Sequence, residues 1–415
     1  MDGEALIAAV VSGDVKAVTA LLEAGADPET VDGQGTPVLC LAVDAFDLPV
    51  VEVLLGWAQV DRVAADGRTP LLRAIDCGDL EIAEALIGHG AKLWLKDAEG
   101  RDALALARHW HVTGAVAELR RRSGISEPVG CRTVRGRFGI TCEELSLGGL
   151  TVRTCHTAIL TALEPRYGIR PSFEQLMSRA LAEPDTDHAV WHATTSVLQQ
   201  RHDPNVWEAA AGLRNSRNPL ERYFGAELLR LINLFDESDD APFDGPLVEL
   251  FLPWVAREPD PRVTRALTAG LSDALDPRAK EPLPALTRHH DGRVRQWAVS
   301  GLHRAVEAED LEALRAAIER TRDEDAAVRQ AACRALTSAP ARLAAASDAL
   351  AGCLFDEDEN VRVTAAAQLA LRDDPRGDEV LVGLDPADED SPYYWLLYDV
   401  RHHRRTRRAS TIAGE

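Results

Sequence analysis

The sequence predicts an all-α protein built as two tandem helical solenoids, joined by a small irregular connector with room for a β-hairpin. Three observations carry this. Thr36-Pro37, Thr69-Pro70 and Asp102-Ala103 recur at 33-residue intervals in the front third. Asp-x-x-Val recurs at helix starts through the back half, and a glycine-rich stretch with Gly at 124, 130, 136, 139, 148 and 149 lies between. A period of roughly 20 to 50 residues marks units that bury their apolar faces only by stacking on neighbours. Such chains build extended surfaces.

The chain of 415 residues exceeds the roughly 250 to 300 at which single cores stop growing, so more than one block is expected. The repeat registers place these blocks at 1–121, 122–183 and 184–398, with a basic, mobile tail over 399–415. The formal net charge of −21 disfavours tight nucleic-acid binding, because neutralising phosphates takes clustered Lys and Arg. Seven cysteines with no Cys-x-x-Cys pair point to a reducing compartment, with the cytoplasm the expected location. The acidic start Met1-Asp2-Gly3-Glu4 lacks the charge of a secretory signal. No apolar run approaches the ~18 residues of a membrane span, so no membrane association is expected.

In the front block each unit carries an apolar pair late in its second helix: Leu21-Leu22, Leu54-Leu55 and Leu86-Ile87, with Leu119 alone in the fourth. Gly25-Ala26 and Gly90-Ala91 stop helices, and Asp32-Gly33, Asp66-Gly67 and Glu99-Gly100 mark tight turns. Thr-Pro suits a helix start, with Thr capping and Pro at the first helical position. Two departures stand out. Ala45-Phe46 replaces the glycine found at Gly13 and Gly78, and the fourth unit ends in Arg120-Arg121-Arg122, as a polar cap would. Together these residues resemble the ankyrin repeat over about 120 positions. The resemblance implies protein recognition through turn tips and the concave helix face, which singles out Gln34, Arg68, Arg101 and Trp94 as partner contacts. Cys40 and Cys77 read as core-filling thiols.

The connector cannot be one helix, given its glycines and β-branched runs. It holds four metal-ligand types, Cys131, Cys142, Cys155 and His156, yet only the last two are close in sequence. Structural zinc sites pair ligands two to four residues apart, so separate buried thiols are the preferred reading and no metal or other cofactor is expected. Helical spacing resumes through Ile159, Leu160 and Leu163, and again through Phe173, Leu176, Met177 and Leu181.

In the back block Asp187, Asp203, Asp260, Asp291, Asp325 and Asp358 each precede a Val by three residues. Asp caps the free amides of a helix start while Val opens the buried stripe. Asp203-Pro204, Asp260-Pro261 and Asn218-Pro219 add Pro at the first helical position. Val294-Arg295, Val328-Arg329 and Val361-Arg362, with Ala298, Ala332 and Ala365 one turn on, resemble the HEAT repeat in its short bacterial form. That resemblance implies that Arg295, Arg329 and Arg362 bond to aspartates along the stack. Gln296, Ser300, His303, Gln330 and Arg334, on the other side of those helices, are expected to form the concave surface. The aromatic run from Pro392 to Tyr398 is expected to cap the last repeat, after an acidic stretch at 388–390. Arg407-Arg408-Ala409-Ser410 resembles a basophilic kinase site.

A non-catalytic scaffold or adaptor that binds a protein partner is the function these features favour. The sequence has no Gly-x-x-x-x-Gly-Lys, His-Glu-x-x-His or Gly-x-Ser-x-Gly motif. Two alternatives are weighed against it. One is a HEAT-like enzyme such as a DNA glycosylase, with Trp191, Trp207 and Trp297 supplying rings; the other is a regulator responsive to metal, redox state or phosphorylation.

Overall fold

A computed structural model describes residues 2–238, 240–382, 384 and 391–413, with side chains through 407. The acidic stretch at 388–390 and the side chains of Arg408 and Ser410 lie outside the described residues. The chain is all-α apart from one three-stranded sheet, and it divides into two compact units, Met1–His202 and Asp203–Glu415.

Four helix pairs open the first unit: α1 (Asp2–Ser12) with α2 (Val15–Glu23), α3 (Val38–Asp44) with α4 (Leu48–Leu55), α5 (Pro70–Cys77) with α6 (Leu80–Gly88), and α7 (Ala103–Thr113) with α8 (Ala115–Ser123). Thr69 and Asp102 cap α5 and α7 as the spacing predicts, accepting from the amides of Leu72 and Ala105. At α3 the outcome differs: Pro37 is the cap position with no side-chain bond, because the proline ring carries no acceptor. The second helices start on Asp14, Asp47 and Asp79, each accepting from the amide three residues on. Phe46 makes the turn that lacks glycine by adopting φ +57 itself. A Phe there bears strain that a glycine would not, so its ring needs a compensating contact.

The connector folds as an antiparallel sheet in the order β1 (Gly130–Arg135), β2 (Thr141–Leu147), β3 (Leu150–Arg153). Helices α9 (His156–Leu163), α10 (Phe173–Leu181) and α11 (Ala189–Gln199) follow. Leu145, Leu147, Val152, Ala158 and Ile159 belong to the same buried core as Leu54, Leu72 and Leu106 of the helix pairs. The connector is therefore built onto the repeats, within the unit that runs to His202. Asp187 does not cap α11. Its carbonyl takes the Thr141 amide at 2.9 Å, which delays helix entry by one residue, and His188 Nδ1 accepts from the Val190 amide instead.

The second unit comprises α12 (Pro204–Gly212), α13 (Pro219–Leu234), α14 (Asp244–Val255), α15 (Pro261–Asp273), α16 (Leu283–Leu286), α17 (Gly292–Ser300), α18 (His303–Glu307), α19 (Leu311–Arg320), α20 (Ala326–Thr337), α21 (Ala344–Gly352), α22 (Glu359–Leu371), α23 (Asp378–Val382) and α24 (Tyr394–Ala413). Asp203, Asn218, Asp260, Asp291, Asp325 and Asp358 all accept a bond from the amide two or three residues on. Helices α13, α15, α17, α20 and α22 stack successively, each on the next. Arginines tie this row together. Arg295 grips Asp323 at 2.8 and 2.9 Å, Arg329 grips Asp356 at 2.7 Å through both oxygens, and Arg265 reaches Asp291. Arg362 differs in detail, donating to the carbonyls of Asp356 and Glu357. The span 399–413, read from sequence as a mobile tail, continues α24. Leu397 and Val400 bury one face of that helix among Ala366, Ala367 and Ala370, while His403, Arg404 and Arg407 pair with Asp373 and Asp378.

Candidate functional site

The three turn tips of the first unit share one construction. Asp32, Ala64 and Asp97 each donate an amide to the carbonyl four residues on, and Asp32 and Asp97 also accept the return amide through their carboxylates. Gly35, Gly67 and Gly100 hold positive φ at the apices. Two of the four expected contacts face solvent: Gln34 on the first tip is exposed, and Trp94, in the turn ahead of the third tip, is 67% exposed. The other two are partly withdrawn. Arg68 donates to Asp76 at 2.8 Å, and Arg101 folds back onto Asp97 and Glu99.

Asp76 is the centre of a buried network that sequence reasoning missed. Arg122 donates to both its oxygens, at 2.6 and 2.7 Å, and Trp110 Nε1 donates at 2.9 Å. The Arg122 guanidinium lies over the Trp110 ring at 4.6 Å, and that ring stacks on His156 with centroids 4.2 Å apart. Arg121 and Arg122 both donate to Glu118, which is fully buried. These hydrogen bonds, together with the arginine charge, hold the Glu118 carboxyl down at about 2. Burial, opposed by the Asp76 carbonyl at 3.4 Å, pushes His156 down to about 4. The arginine run ending the fourth repeat is thus an internal brace in part, not only a solvated cap.

The connector's four metal-ligand types are not gathered at one point, although two of the thiols meet. Cys131 sits exposed on β1 opposite Leu145, three register positions from Val134, which faces Cys142. Cys142 and Cys155 are neighbours, and that contact with burial raises the Cys155 thiol well above its ordinary value. His156 turns instead to Trp110. Among the described residues a different trio, Glu143, Glu183 and His188, places its donor atoms within 4.8 Å of one another. His188 Nδ1 accepts the Val190 amide, so the ring proton resides on Nε2, which faces Glu143 Oε2 at 3.5 Å. A nitrogen bearing that proton is not a metal ligand, and the trio reads as a helix cap buttressed by a carboxylate. Burial drives the Cys40 thiol up to about 12, which keeps it protonated and unreactive.

A cavity of about 640 Å³ opens in the first unit against α4 and α6. Leu80, Val134 and Ile140 contribute apolar wall, and Glu81, Glu84 and Arg153 contribute charge. Arg153 pairs with Asp79 and lies 4.6 Å over the Phe46 ring, the compensating contact for the strained turn.

In the second unit, Gln296 and Ser300 are half-buried on α17, and His303 Nδ1 meets the Ser300 carbonyl at 3.0 Å. Gln330 donates to Thr364 on the next stacked helix at 3.0 Å, while Arg334 is exposed. Of the three tryptophans considered for base stacking, Trp191 is buried in the first unit's core, bonded to the Glu183 carbonyl. Trp207 packs on Phe243, and Trp297 lies 5.9 Å from the Arg230 guanidinium. Among the described residues no helix is long and apolar enough to cross a membrane.

A family model agrees with the repeat geometry of the first unit. Residues 4–111 match the family model for ankyrin repeats in 3 copies. No curated protein matches the sequence. Among solved structures, the X-ray structure of the structural-genomics target YIBA_ECOLI is similar at 16% identity and a TM-score of 0.40, covering 51% of this chain and 75% of that one.

Proposed function

We propose that this protein is a non-catalytic scaffold or adaptor whose ankyrin repeats, and a second array of HEAT type, present surfaces to a protein partner. The observation that carries the reading is the pairing of three ankyrin repeats and their hydrogen-bonded turn tips with Trp94, exposed in the turn just ahead of the third tip. An aromatic ring on backbone ordered beside such a tip binds at little entropic cost, and Trp is enriched among residues that dominate binding energy. Gln34 and the outer edges of Arg68 and Arg101 complete that surface. The HEAT assignment for the second unit draws support from the Val263, Val294, Val328 and Val361 register and from the Arg-to-Asp rungs between stacked helices. Its partner face is drawn from Gln296, Ser300, His303, Gln330 and Arg334. Seven free cysteines fit a cytoplasmic setting.

The test is affinity capture with the full chain, followed by the same capture with Trp94→Ala. A reproducible partner whose retention drops at least tenfold in the variant supports the reading. Capture that is identical for both chains removes the ankyrin tip from it.

A further inference from the structure

The cavity beside α4 and α6 lies on the second helices of repeats two and three, away from the turn tips, and the reading above gives it no role. Its mouth is tied by the tip of the β1–β2 hairpin. The Arg137 amide donates to Glu81 at 2.6 Å and its guanidinium meets Glu52 at 2.5 Å. Gly136 lies so close to Glu81 that a Cβ there would come within 2.5 Å of the carboxylate. On the inner side Arg153 is spent on Asp79 and the Phe46 ring.

The charges of the lining are therefore unequally satisfied. Arg137 and Arg153 already have carboxylate partners, and the Arg135 side chain, in the field of Asp185, makes no hydrogen bond or ion pair among the described residues. Glu84, one turn after Glu81 on α6, makes no hydrogen bond or ion pair among the described residues. Burial raises its carboxyl, only partly offset by the charges of Arg166 and of His192, which lines the same cavity. The lining holds four carboxylates, Glu52, Asp79, Glu81 and Glu84, against three guanidiniums, Arg135, Arg137 and Arg153, so its balance favours a cation. The −21 net charge of the chain favours the same sign. A volume of about 640 Å³ with Leu80, Val134 and Ile140 in the wall suits an organic molecule better than a bare metal ion, which needs converging oxygens and no apolar surface.

We propose that this cavity binds an organic cation on an aliphatic stem, an alkylammonium or alkylguanidinium, with its head on Glu84 and Glu81 and its stem along Leu80, Val134 and Ile140. The same chemistry is offered by a free amine and by a Lys or Arg side chain of a protein. The proposal stands independently of the scaffold reading, because its measurement needs no partner protein.

Isothermal titration of the full chain at fixed ionic strength tests it, with three probes: agmatine, a capped tripeptide with a central arginine, and uncharged butylurea. The expected result is saturable one-to-one binding of a cationic probe, weakened at least tenfold by Glu84→Gln and unchanged by Glu23→Gln on the exposed side of α2. Glu84→Gln removes no hydrogen bond, and a far-ultraviolet dichroism spectrum verifies its fold. A tripeptide at least tenfold tighter than agmatine identifies a protein side chain as the source, and comparable or weaker tripeptide binding identifies a free amine. Cationic probes that bind no better than butylurea, or a folded Glu84→Gln chain with unaltered affinity, overturn the proposal.

Discussion

Arg122 reaches back 46 residues to clasp both carboxylate oxygens of Asp76 at 2.6 and 2.7 Å, joining the end of the fourth helix pair to the first helix of the third. The pair is roofed by Trp110 and bordered by His156 from the connector, so one ion pair fastens three segments of sequence into one core. Removing one partner of a buried pair leaves the other charge without compensation, at a cost of about 3 to 5 kcal/mol. Asp76→Ala is expected to lose that much in urea unfolding, since Arg68, Arg122 and Trp110 all lose their acceptor. Asp14→Ala, an exposed cap on α2, is expected to lose only about 1 kcal/mol.

Gly78 offers a sharper contrast. Its φ of +70 combines with a site where a Cβ would stand 2.0 Å from the Arg153 carbonyl and 2.6 Å from the His156 ring. Gly78→Ala should therefore cost about 2 to 4 kcal/mol, as the connector is pushed off the repeats. Gly25, with φ +93 and open space around it, pays only the backbone penalty of about 1 to 2 kcal/mol as Ala. Thermal unfolding of the two variants side by side decides between a packing role and a turn role for Gly78.

Acid sensitivity follows from His156. Its pKa is pushed from 6.5 down to about 4 by burial, so the unfolded chain takes up a proton in that window while the folded chain resists it. Stability contributed by the neutral ring is complete above pH 6.5 and drains away as pH falls toward 4, amounting to about 3 kcal/mol. Glu118, held down at about 2, adds a second loss as pH falls from 4.5 toward 2. His156→Phe preserves a ring for Trp110 to stack on and should flatten the pH 6.5 to 4 segment of the stability curve while leaving the lower one. Denaturant midpoints across that range, for both chains, read this directly.

The Arg-to-Asp rungs of the second unit predict locality. Arg295 and Asp323 are 5% and 7% exposed, so Arg295→Ala should destabilise by about 3 to 5 kcal/mol, and Arg295→Lys should recover only part because lysine cannot match both oxygens. A double-mutant cycle across Arg295 and Asp323 should give a coupling of at least 1 kcal/mol. A cycle across Arg295 and Asp356, which belongs to the next rung, should give close to none.

The sequence by itself determined the helices and their repetition. Helix starts were legible because a capping aspartate acts on amides two or three residues away, and the buried stripes because an apolar period of 3.6 states which face turns inward. The recurrence of Val-Arg was legible, but its aspartate partners were only implied by the HEAT resemblance, and Arg362 goes to carbonyls instead. What only the tertiary structure decided are contacts between residues far apart in sequence that no periodicity announces: Asp76 with Arg122 and Trp110, Arg153 over Phe46, and the hairpin tip at Arg137 set against Glu52 and Glu81. The reach of the connector onto the repeats was hidden because its strands are short and half-polar, so their partner surface is defined only once the helices have stacked. The helical continuation over 399–413 escaped for a related reason, since a basic run reads as solvated until Asp373 and Asp378 are placed beside it. Local capping and periodicity are properties of neighbouring residues. Charge pairing and cavity shape are properties of surfaces that exist only after folding has brought them together.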